Sequence, residues 1–249
     1  MVILKQPDEI DKARASSRIV AEVLSVLREK VKPGVTTREL DQIAEGVTEK
    51  RGARPAFKGY RGYPHSLCAS VNEEVVHGMP SGRILKEGDI IGLDFGVLYH
   101  GFYGDAAITL PVGRVSEEAV RLMRVTEESL CAAIDQAASG NRLGDISAAV
   151  QKTAESAGFS VVRDFVGHGI GRNMHEDPQI PNFGKKGRGI ELRTGMILAI
   201  EPMVNAGRYG VKILPDGWTV ITADGSLSAH FEHSVAITDN GPEILSSLN

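Results

Sequence analysis

Residues 85–94 read "LKEGDIIGLD" and residues 192–201 read "LRTGMILAIE", so one ten-residue pattern occurs twice in the chain. Each copy contains a leucine, a glycine and several aliphatic residues and ends in an acid, Asp94 in the first and Glu201 in the second. The two acids are 107 residues apart. The repeat indicates two copies of one supersecondary unit, each delivering a carboxylate from the same strand position.

Helical periodicity precedes each copy of the pattern, and strand-like sequence accompanies and follows it. Thr36 and Glu39 form a capping box at the start of one helix, and Ser116 opens another. A weaker similarity between "GFYG" at 101–104 and "GRYG" at 207–210 predicts that these tetrapeptides are equivalent as well. We expect three helices over residues 7–31, 36–52 and 116–141, and a fourth helix that ends at Gly158. We expect strands within residues 67–76, 89–110, 196–201, 219–222 and 234–238.

Two helices followed by strands therefore occur twice, which predicts an α+β fold. No low-complexity linker separates the two copies. We interpret residues 1–249 as a single domain with pseudo-symmetric halves at roughly residues 1–115 and 116–249. Face-to-face packing of the halves would bring Asp94 and Glu201 close to a shared pseudo-twofold axis.

The composition excludes several classes of protein. A formal net charge of −4 over 249 residues argues against an obligate nucleic-acid binder, which usually has a strongly basic surface. The two cysteines, Cys68 and Cys131, indicate no disulfide framework, and no apolar run approaches the length of a membrane span. We therefore expect a cytoplasmic monomer that binds neither a specific nucleic acid nor a membrane.

Asp94 lies among apolar residues in "GLDFGVLYHGFYGDAA" (92–107), and a second acid, Asp105, follows eleven residues later. A carboxylate in such surroundings is costly to bury unless a positive charge lies beside it. Taken alone, Asp94 is more often a hydrogen-bonded structural group than a metal ligand. The metal interpretation gains weight from four further candidates for a functional site, which are His77, His168, His175 and Glu232.

The stretch "VGHGIGRNMHEDP" (166–178) is rich in glycine, and we expect it to form a loop that carries His168 and His175. His77 follows a predicted strand, and Glu232 begins one. Any single histidine is as often a core or surface residue as a functional one. Neither HExxH nor CxxC spacing is present, so spacing alone leaves metal binding open.

Together, these motifs resemble those of the type I methionine aminopeptidases, and the resemblance runs from the first helix to about Ile237. These are metallopeptidases with the pita-bread fold, in which two αα-ββ halves surround a curved antiparallel sheet. The family's metal ligands are Asp, Asp, His, Glu and Glu in this order. They fall here on Asp94 in "LDFG", Asp105 in "YGDAA", His168 in "GHGIG", Glu201 in "AIEP" and Glu232 in "HFEH".

The resemblance implies two divalent metal ions as cofactors. Asp105 and Glu232 would bridge both ions, Asp94 would complete one ion, and His168 with Glu201 would complete the other. The charge of the site is consistent with two ions, because four carboxylates carry a charge of −4 and two divalent ions carry +4 when the imidazole is neutral. Carboxylates with one imidazole suit Co, Mn, Fe, Zn or Ni better than a thiolate-seeking metal.

The resemblance also implies an activity, which is removal of the N-terminal methionine from nascent proteins and peptides when the second residue is small. His175 would hydrogen-bond the scissile carbonyl group, and His77 would contact the first peptide nitrogen. Glu201 would carry a proton from the attacking water to the leaving amine. The methionine side chain would bind among Tyr60, Tyr63, Cys68, Met174 and Trp218.

Three departures from the commonest pattern of that family occur in this sequence. Gly96 stands where threonine is common, and Ala106 with Ala107 stands where hydroxyl residues are common. Met174 replaces a frequent aromatic residue. Because the lost hydroxyls would donate hydrogen bonds to the ligands, the first two departures bear on metal affinity and not on ligation itself. Met174 would alter the shape of the pocket.

Other members of this fold are the nearest alternatives. Proline-specific peptidases share the five ligands but usually carry a large N-terminal domain, whereas 93 residues precede Asp94 here. Type II methionine aminopeptidases insert a helical subdomain, for which the 33 positions from His168 to Glu201 are too few. Non-enzymatic relatives lose ligands. A protein-kinase reading of "DFG" at 94–96 fails because no G-x-G-x-x-G loop precedes it.

The segment "GKKGRG" at residues 184–189 is a cationic run in a mildly acidic chain. The ordinary interpretation of such a run is a solvated turn. The alternative is a transient ribosome contact that would hold the enzyme near emerging chains.

Overall fold

The computed structural model describes residues 2–248. Its helices are α1 (Pro7–Lys30), α2 (Thr37–Lys50), α3 (Glu117–Ile134) and α4 (Leu143–Ser156), with a short 3-10 helix at Tyr60–Gly62. The strands are β1 (Arg54–Pro55), β2 (Cys68–Val71), β3 (Glu74–Val76), β4 (Ile90–Tyr99), β5 (Phe102–Pro111), β6 (Ser160–Val161), β7 (Val166–Gly169), β8 (Glu176–Pro181), β9 (Ile197–Ile200), β10 (Met203–Asn205), β11 (Val211–Ile213), β12 (Val220–Thr222), β13 (Ser228–His230), β14 (Glu232–Thr238) and β15 (Gly241–Ile244). No helix within the described range is long and apolar enough to cross a membrane.

The helices begin where the sequence predicts. Thr36 Oγ1 accepts a hydrogen bond from the backbone N–H of Glu39 at 3.2 Å, and the Glu39 carboxylate accepts one from the backbone N–H of Thr36 at 2.7 Å. This reciprocal pair satisfies two of the donors that a helix start leaves free. Ser116 caps α3 by accepting from the backbone N–H of Ala119.

The main sheet has nine antiparallel strands in the order β1–β4–β5–β14–β9–β7–β8, with β2 beside β4 and β15 beside β14. The order is similar in both directions from the central β5–β14 pair, since β4 flanks one side and β9 the other. Two three-stranded sheets, β13–β10–β6 and β11–β12–β3, complete the structure. This symmetry matches the expected α+β architecture, while the single-domain assignment and the division into halves near residue 115 stay predictions.

The repeated pattern places its two acids at corresponding points of the sheet. Asp94 lies in the middle of β4, and Glu201 follows directly after β9. The expected equivalence of residues 101–104 and 207–210 is wrong. The first tetrapeptide turns tightly from β4 into β5, whereas the second lies in a loop between β10 and β11. The physical reason is that the second half inserts β10 to β13 where the first half has a short turn.

Two other expectations need correction. α3 ends at Ile134 rather than at residues 138–141, because tight turns replace helical hydrogen bonds at Gln136 and Ala137. The stretch 166–178 is a loop only in part. His168 lies within β7, residues 170–175 form a loop that carries His175, and β8 begins at Glu176. The glycines of β7 permit close strand packing, since a Cβ on Gly167 would lie 2.5 Å from a backbone oxygen of β9.

α1 packs against β4 and β5 over a core of fully buried aliphatic residues such as Leu27. The approach is closest at Gly104 of β5, where a Cβ would lie 2.5 Å from the backbone nitrogen of Ser17. Asp105, a candidate metal ligand, is the next residue along β5. The position of this strand under α1 therefore depends on the absence of a side chain at residue 104.

We expect Gly104→Ala to lower the free energy of unfolding by about 1–3 kcal/mol, because the added methyl group overlaps the α1 backbone. Gly46→Ala in α2 is the matched control, since no atom lies within 4 Å of the Cβ it would add. That change should raise the stability by about 0.5–1 kcal/mol. Urea unfolding measures both variants. Equal stability of Gly104→Ala and the parent chain would contradict the close packing of α1.

Candidate metal centre and substrate cleft

The five candidate ligands come from adjacent strands in the middle of the main sheet. Asp94 lies in β4, Asp105 in β5, and Glu232 is the first residue of β14. His168 lies in β7, and Glu201 directly follows β9. Neighbouring strands of a sheet lie about 4.8 Å apart, so side chains from adjacent strands can share one ion. All five side chains line the same cavity.

Several of these side chains lie within coordinating reach of one another. One potential ligand atom each from Asp105, His168 and Glu232 lies within 4.8 Å of the others, and all three residues are buried. His168 Nε2 also lies 3.6 Å from Oε1 of Glu201. Metal–ligand bonds of about 2.0–2.2 Å hold ligand atoms at comparable separations. The spacing therefore fits a shared cation.

Burial disfavours the charged state of these acids in the metal-free protein. It raises the pKa of Asp94 to about 7. Burial, reinforced by the neighbouring carboxylates, raises the pKa values of Asp105, Glu201 and Glu232 well above their ordinary range. Among the described residues, nothing donates a hydrogen bond to three buried oxygens of this group, Asp94 Oδ1, Asp105 Oδ1 and Glu232 Oε1. A bound cation satisfies such oxygens, so the residue set fits a metal centre.

His168 has the tautomer that metal ligation requires. Its Nδ1–H donates a hydrogen bond to the backbone carbonyl oxygen of Gly169 at 2.9 Å, which leaves the lone pair of Nε2 facing Glu201. Burial lowers the pKa of His168 to about 3, so the ring is neutral at physiological pH. A neutral imidazole whose second nitrogen is held by a carbonyl group is the usual form of a histidine ligand.

All twelve site residues predicted from the sequence line one cavity of about 140 Å³. The apolar wall of this cavity is a hydrophobic cluster that also contains Phe57 and Met79. Burial raises the pKa of the Cys68 thiol, so this cysteine packs in the wall and is no nucleophile at neutral pH. The predicted residues in the wall are Tyr60, Tyr63, Cys68, Met174 and Trp218.

His77 and His175 line this cavity together with a second one of about 170 Å³, which Phe165 and Met203 also line. His77 has a positive φ of 59°. This left-handed conformation is costly for a residue with a Cβ and is more frequent at functional sites. Burial lowers the pKa of His77 to about 4, so its ring is neutral. The two histidines thus lie at the junction of two chambers.

Tyr60 lines the cavity and also contacts His175. Its hydroxyl oxygen lies 2.8 Å from Nδ1 of His175, and the two rings stack with centroids 5.3 Å apart. When the phenol donates this hydrogen bond, Nδ1 is the acceptor and the imidazole proton lies on Nε2. The sequence predicts Tyr60 only as a contact for the substrate side chain, so its bond to His175 is a new feature of the site.

His230 is not among the residues predicted for the site, although it touches the acid cluster. Its buried Nε2 lies 3.6 Å from Oε2 of Glu201 and has no hydrogen-bond partner within residues 2–248. A signal is present in the sequence, because His230 precedes Glu232 by two residues. Alternate residues of an extended chain face the same way.

Phe57 is also absent from the prediction, and it explains the glycine at position 96. A Cβ on Gly96 would lie 2.8 Å from the Phe57 ring and 3.0 Å from Cβ of Ala56. The aromatic ring therefore occupies the space that a side chain at residue 96 would need. No local pattern in the sequence links residues 57 and 96.

Comparison with known proteins identifies the family. Residues 11–239 match the model of metallopeptidase family M24. The chain is 59% identical over 248 residues to a methionine aminopeptidase of Clostridium perfringens, with 100% of both chains covered. This chain belongs to the type I methionine aminopeptidases. A crystal structure of a methionine aminopeptidase from Thermotoga maritima matches with 50% identity and a TM-score of 0.98, covering 99% of this chain and 100% of that one.

Membership in the methionine aminopeptidases confirms the predicted pita-bread fold and enzyme class, so the chain is a metallo-aminopeptidase that uses divalent metal. A prolidase from Pyrococcus furiosus has a TM-score of 0.79 but only 22% identity, with 99% of this chain and 66% of that one covered. Likeness at that level shows the shared fold alone. The relationship to methionine aminopeptidases, unlike that to the prolidase, extends to the sequence of the whole chain.

Proposed function

We propose that this chain removes the N-terminal methionine from polypeptides whose second residue is small, by hydrolysis at a centre of two divalent ions. The observation that carries the proposal is a single cavity that joins three kinds of chemistry. A cluster of acids that requires cations and an apolar wall line this cavity, and two neutral histidines line both it and a second chamber.

The five candidate ligands would hold the two ions. Asp105 and Glu232 would be shared between them, Asp94 would bind one, and His168 with Glu201 would bind the other. The donor set suits Co, Mn, Fe, Zn or Ni. When bound, such ions lower the pKa of water and polarise a peptide carbonyl group. The substrate's free amino group would lie beside Asp94, which would restrict cleavage to the first residue of a chain.

Glu201 would be the proton carrier. Its two carboxylate oxygens face ring nitrogens of His168 and His230, at 3.6 Å each. Burial raises the pKa of Glu201, which favours uptake of a proton from the attacking water. The same carboxyl group can then release the proton to the leaving amine.

His175 would donate Nε2–H to the oxygen of the scissile carbonyl group. Burial lowers its pKa, so the ring is neutral at pH 7 and has one proton to offer. The Tyr60 hydroxyl at Nδ1 supports the tautomer in which that proton lies on Nε2. A donor already oriented toward the developing negative charge lowers the barrier, because no reorganisation is needed during the reaction.

Single substitutions separate metal binding from catalysis. Asp105→Ala should reduce the number of ions bound in calorimetry and nearly abolish activity. His175→Ala should bind metal as the parent does but lose about 10²–10³ in kcat. Tyr60→Phe keeps the ring in the pocket and removes the hydroxyl, and it should lose about 10-fold in kcat because the tautomer is no longer held.

Calorimetry of these variants also shows how the role assignment could fail. Unchanged metal stoichiometry and affinity in Asp105→Ala would exclude that residue as a ligand. Loss of metal from His175→Ala would make His175 a ligand rather than a donor to the substrate.

The second substrate residue would lie at the junction of the chambers, beside His77. The Phe165 ring packs edge-on against His77, with centroids 5.8 Å apart. Phe165 itself packs against a buried cluster that includes Val76 and Met203. Because a close-packed wall yields little, a bulky side chain there would displace the scissile carbonyl group. Small displacements of reacting atoms cost large rate factors.

A panel of Met-Xaa-Ser peptides tests this proposal. We expect efficient cleavage before Gly, Ala, Ser, Thr, Cys, Pro or Val, and kcat/KM values at least about 100-fold lower before Leu, Lys or Glu. Norleucine should replace methionine well and alanine poorly, since burial of the methionine side chain contributes about 2 kcal/mol. Efficient cleavage of Met-Leu or Met-Lys peptides would exclude the crowding at His77. Preference for Ala-Pro over Met-Ala would overturn the methionine specificity.

The enzyme would act as a cytoplasmic monomer on nascent chains, with loop 184–189 as a transient ribosome contact. The exposed loop is held in place, since the backbone N–H of Gly187 donates to Asp145 Oδ1 at 2.8 Å. A fixed cationic loop is suited to RNA phosphates. Ribosome co-sedimentation at low salt should weaken when Lys185→Glu and Lys186→Glu are combined. Unchanged co-sedimentation would rule out this loop.

A further inference from the structure

The segment just before α1 and its first turn lie against residues 171–176, which we name the His175 loop. This loop comprises most of the connection between β7 and β8 together with Glu176, the first residue of β8, and it carries Met174 and His175, both of which line the substrate cavity. The N-terminal segment itself is fixed to the main body, because the backbone N–H of Lys5 donates to the carbonyl oxygen of Gly195 at 2.7 Å. It is therefore a fixed support for the His175 loop.

Lys5 reaches from this segment to the end of the loop. Its Nζ lies 2.5 Å from Oε2 of Glu176, and the two side chains are only 3% and 4% exposed. The lysine stem passes directly over Gly171, where a Cβ would lie 2.4 Å from Lys5 Cε. The absence of a side chain at residue 171 therefore makes room for the ion pair.

Other residues of the loop are held as well. Glu176 Oε1 accepts a hydrogen bond from the backbone N–H of Asn173 at 3.0 Å, so one carboxylate binds both Lys5 and the loop backbone. Arg172 donates to the Glu9 carboxylate at 2.7 Å. The contacts of Arg172 and Glu176, one on each side, thus restrict the positions of Met174 and His175.

A buried ion pair is an expensive way to hold a loop, because both charges lose their hydration. Apolar residues could bury the same surface, but they would not fix direction as a carboxylate does when it binds a lysine and a backbone N–H together. The loss of hydration can be tolerated where the ion pair fixes the position of an adjacent functional side chain. His175 is the residue next to Glu176.

We propose that Lys5 is a positioning residue for the hydrolysis. Through Glu176 it fixes the His175 loop so that the His175 imidazole meets the scissile carbonyl group. The inference rests on the proposed function, in which His175 donates to that carbonyl oxygen. Lys5 touches neither substrate nor metal, so its effect on the reaction is carried entirely by the loop.

The test is a double-mutant cycle on kcat with Lys5→Met and His175→Ala, at a temperature where circular dichroism shows every variant folded. Lys5→Met should lower kcat by at least about 10-fold, the scale of a misplaced donor, with a smaller change in KM and unchanged metal stoichiometry. In the His175→Ala background the same change should lower kcat less than about 2-fold, because the group it positions is already gone. Equal losses in both backgrounds would overturn the proposal, since a general structural effect does not depend on His175.

Lys12→Met is the matched control. Lys12 pairs with Asp8 on the exposed surface of α1 at 2.9 Å, so this variant should keep the parent's kcat. If Lys5→Met does not fold, Glu176→Gln takes its place in the cycle. Glutamine keeps the shape but offers one acceptor oxygen to two donors, and kcat should fall about 3–10-fold in the parent background only.

The parent and His175→Ala chains separate failure of this inference from failure of the proposed function. An active parent, an impaired His175→Ala and a fully active Lys5→Met would overturn the role of Lys5 alone. A parent that does not cleave Met-Ala-Ser, or a fully active His175→Ala, would overturn the proposed function and the role of Lys5 with it.

Discussion

Four buried or half-buried carboxylates that converge on one cavity are the constraint on which the rest of the structure depends. Burial raises the pKa values of Asp94, Asp105, Glu201 and Glu232, so the metal-free protein favours their protonated forms. Ionisation of all four at neutral pH requires nearby positive charge. Divalent ions supply that charge compactly, and the neutral His168 adds a ligand without adding to the negative charge.

The symmetry of the sheet explains how one fold gathers so many acids. Each half provides one acid at a flanking strand, β4 or β9, and one from a central strand, β5 or β14. Because β5 and β14 are neighbours, the two halves meet where the acids lie. Glycines keep these strands and their covering helix close, as Gly104 under α1 and Gly167 beside β9 illustrate.

The repeat and the helix caps made much of the fold predictable, because both depend on residues close together in sequence. The pairing of Asp94 with Glu201 follows from two matching ten-residue patterns, and α2 begins where Thr36 and Glu39 cap it. The expected equivalence of "GFYG" and "GRYG" was wrong because a four-residue similarity gives no information on an insertion of four strands. Likewise, the glycines in 166–178 suggested a loop throughout, whereas only residues 170–175 form one and Gly167 permits close strand packing beside His168.

The features that could not be predicted join residues far apart in the chain. Phe57 fills the space beside Gly96, the Tyr60 hydroxyl binds His175, and Lys5 pairs with Glu176, 171 residues away. None of these pairs has a local pattern, since each depends on the final packing of separate elements. These long-range contacts surround the five candidate ligands and the wall of the pocket. The ligands and the wall, by contrast, could be predicted because they lie in motifs of the family.

The central claim is that divalent ions neutralise carboxylates that burial otherwise keeps protonated. Calorimetric titration of Mn²⁺ into the metal-free chain at pH 6, in two buffers of different ionisation enthalpy, counts the protons released. Burial lowers the pKa of His168 to about 3, so this histidine carries no proton to release at pH 6. We expect at least about one proton released on metal binding at pH 6 and fewer at pH 8, because metal displaces protons from its ligands. Tight binding at pH 6 with no proton release would contradict the claim.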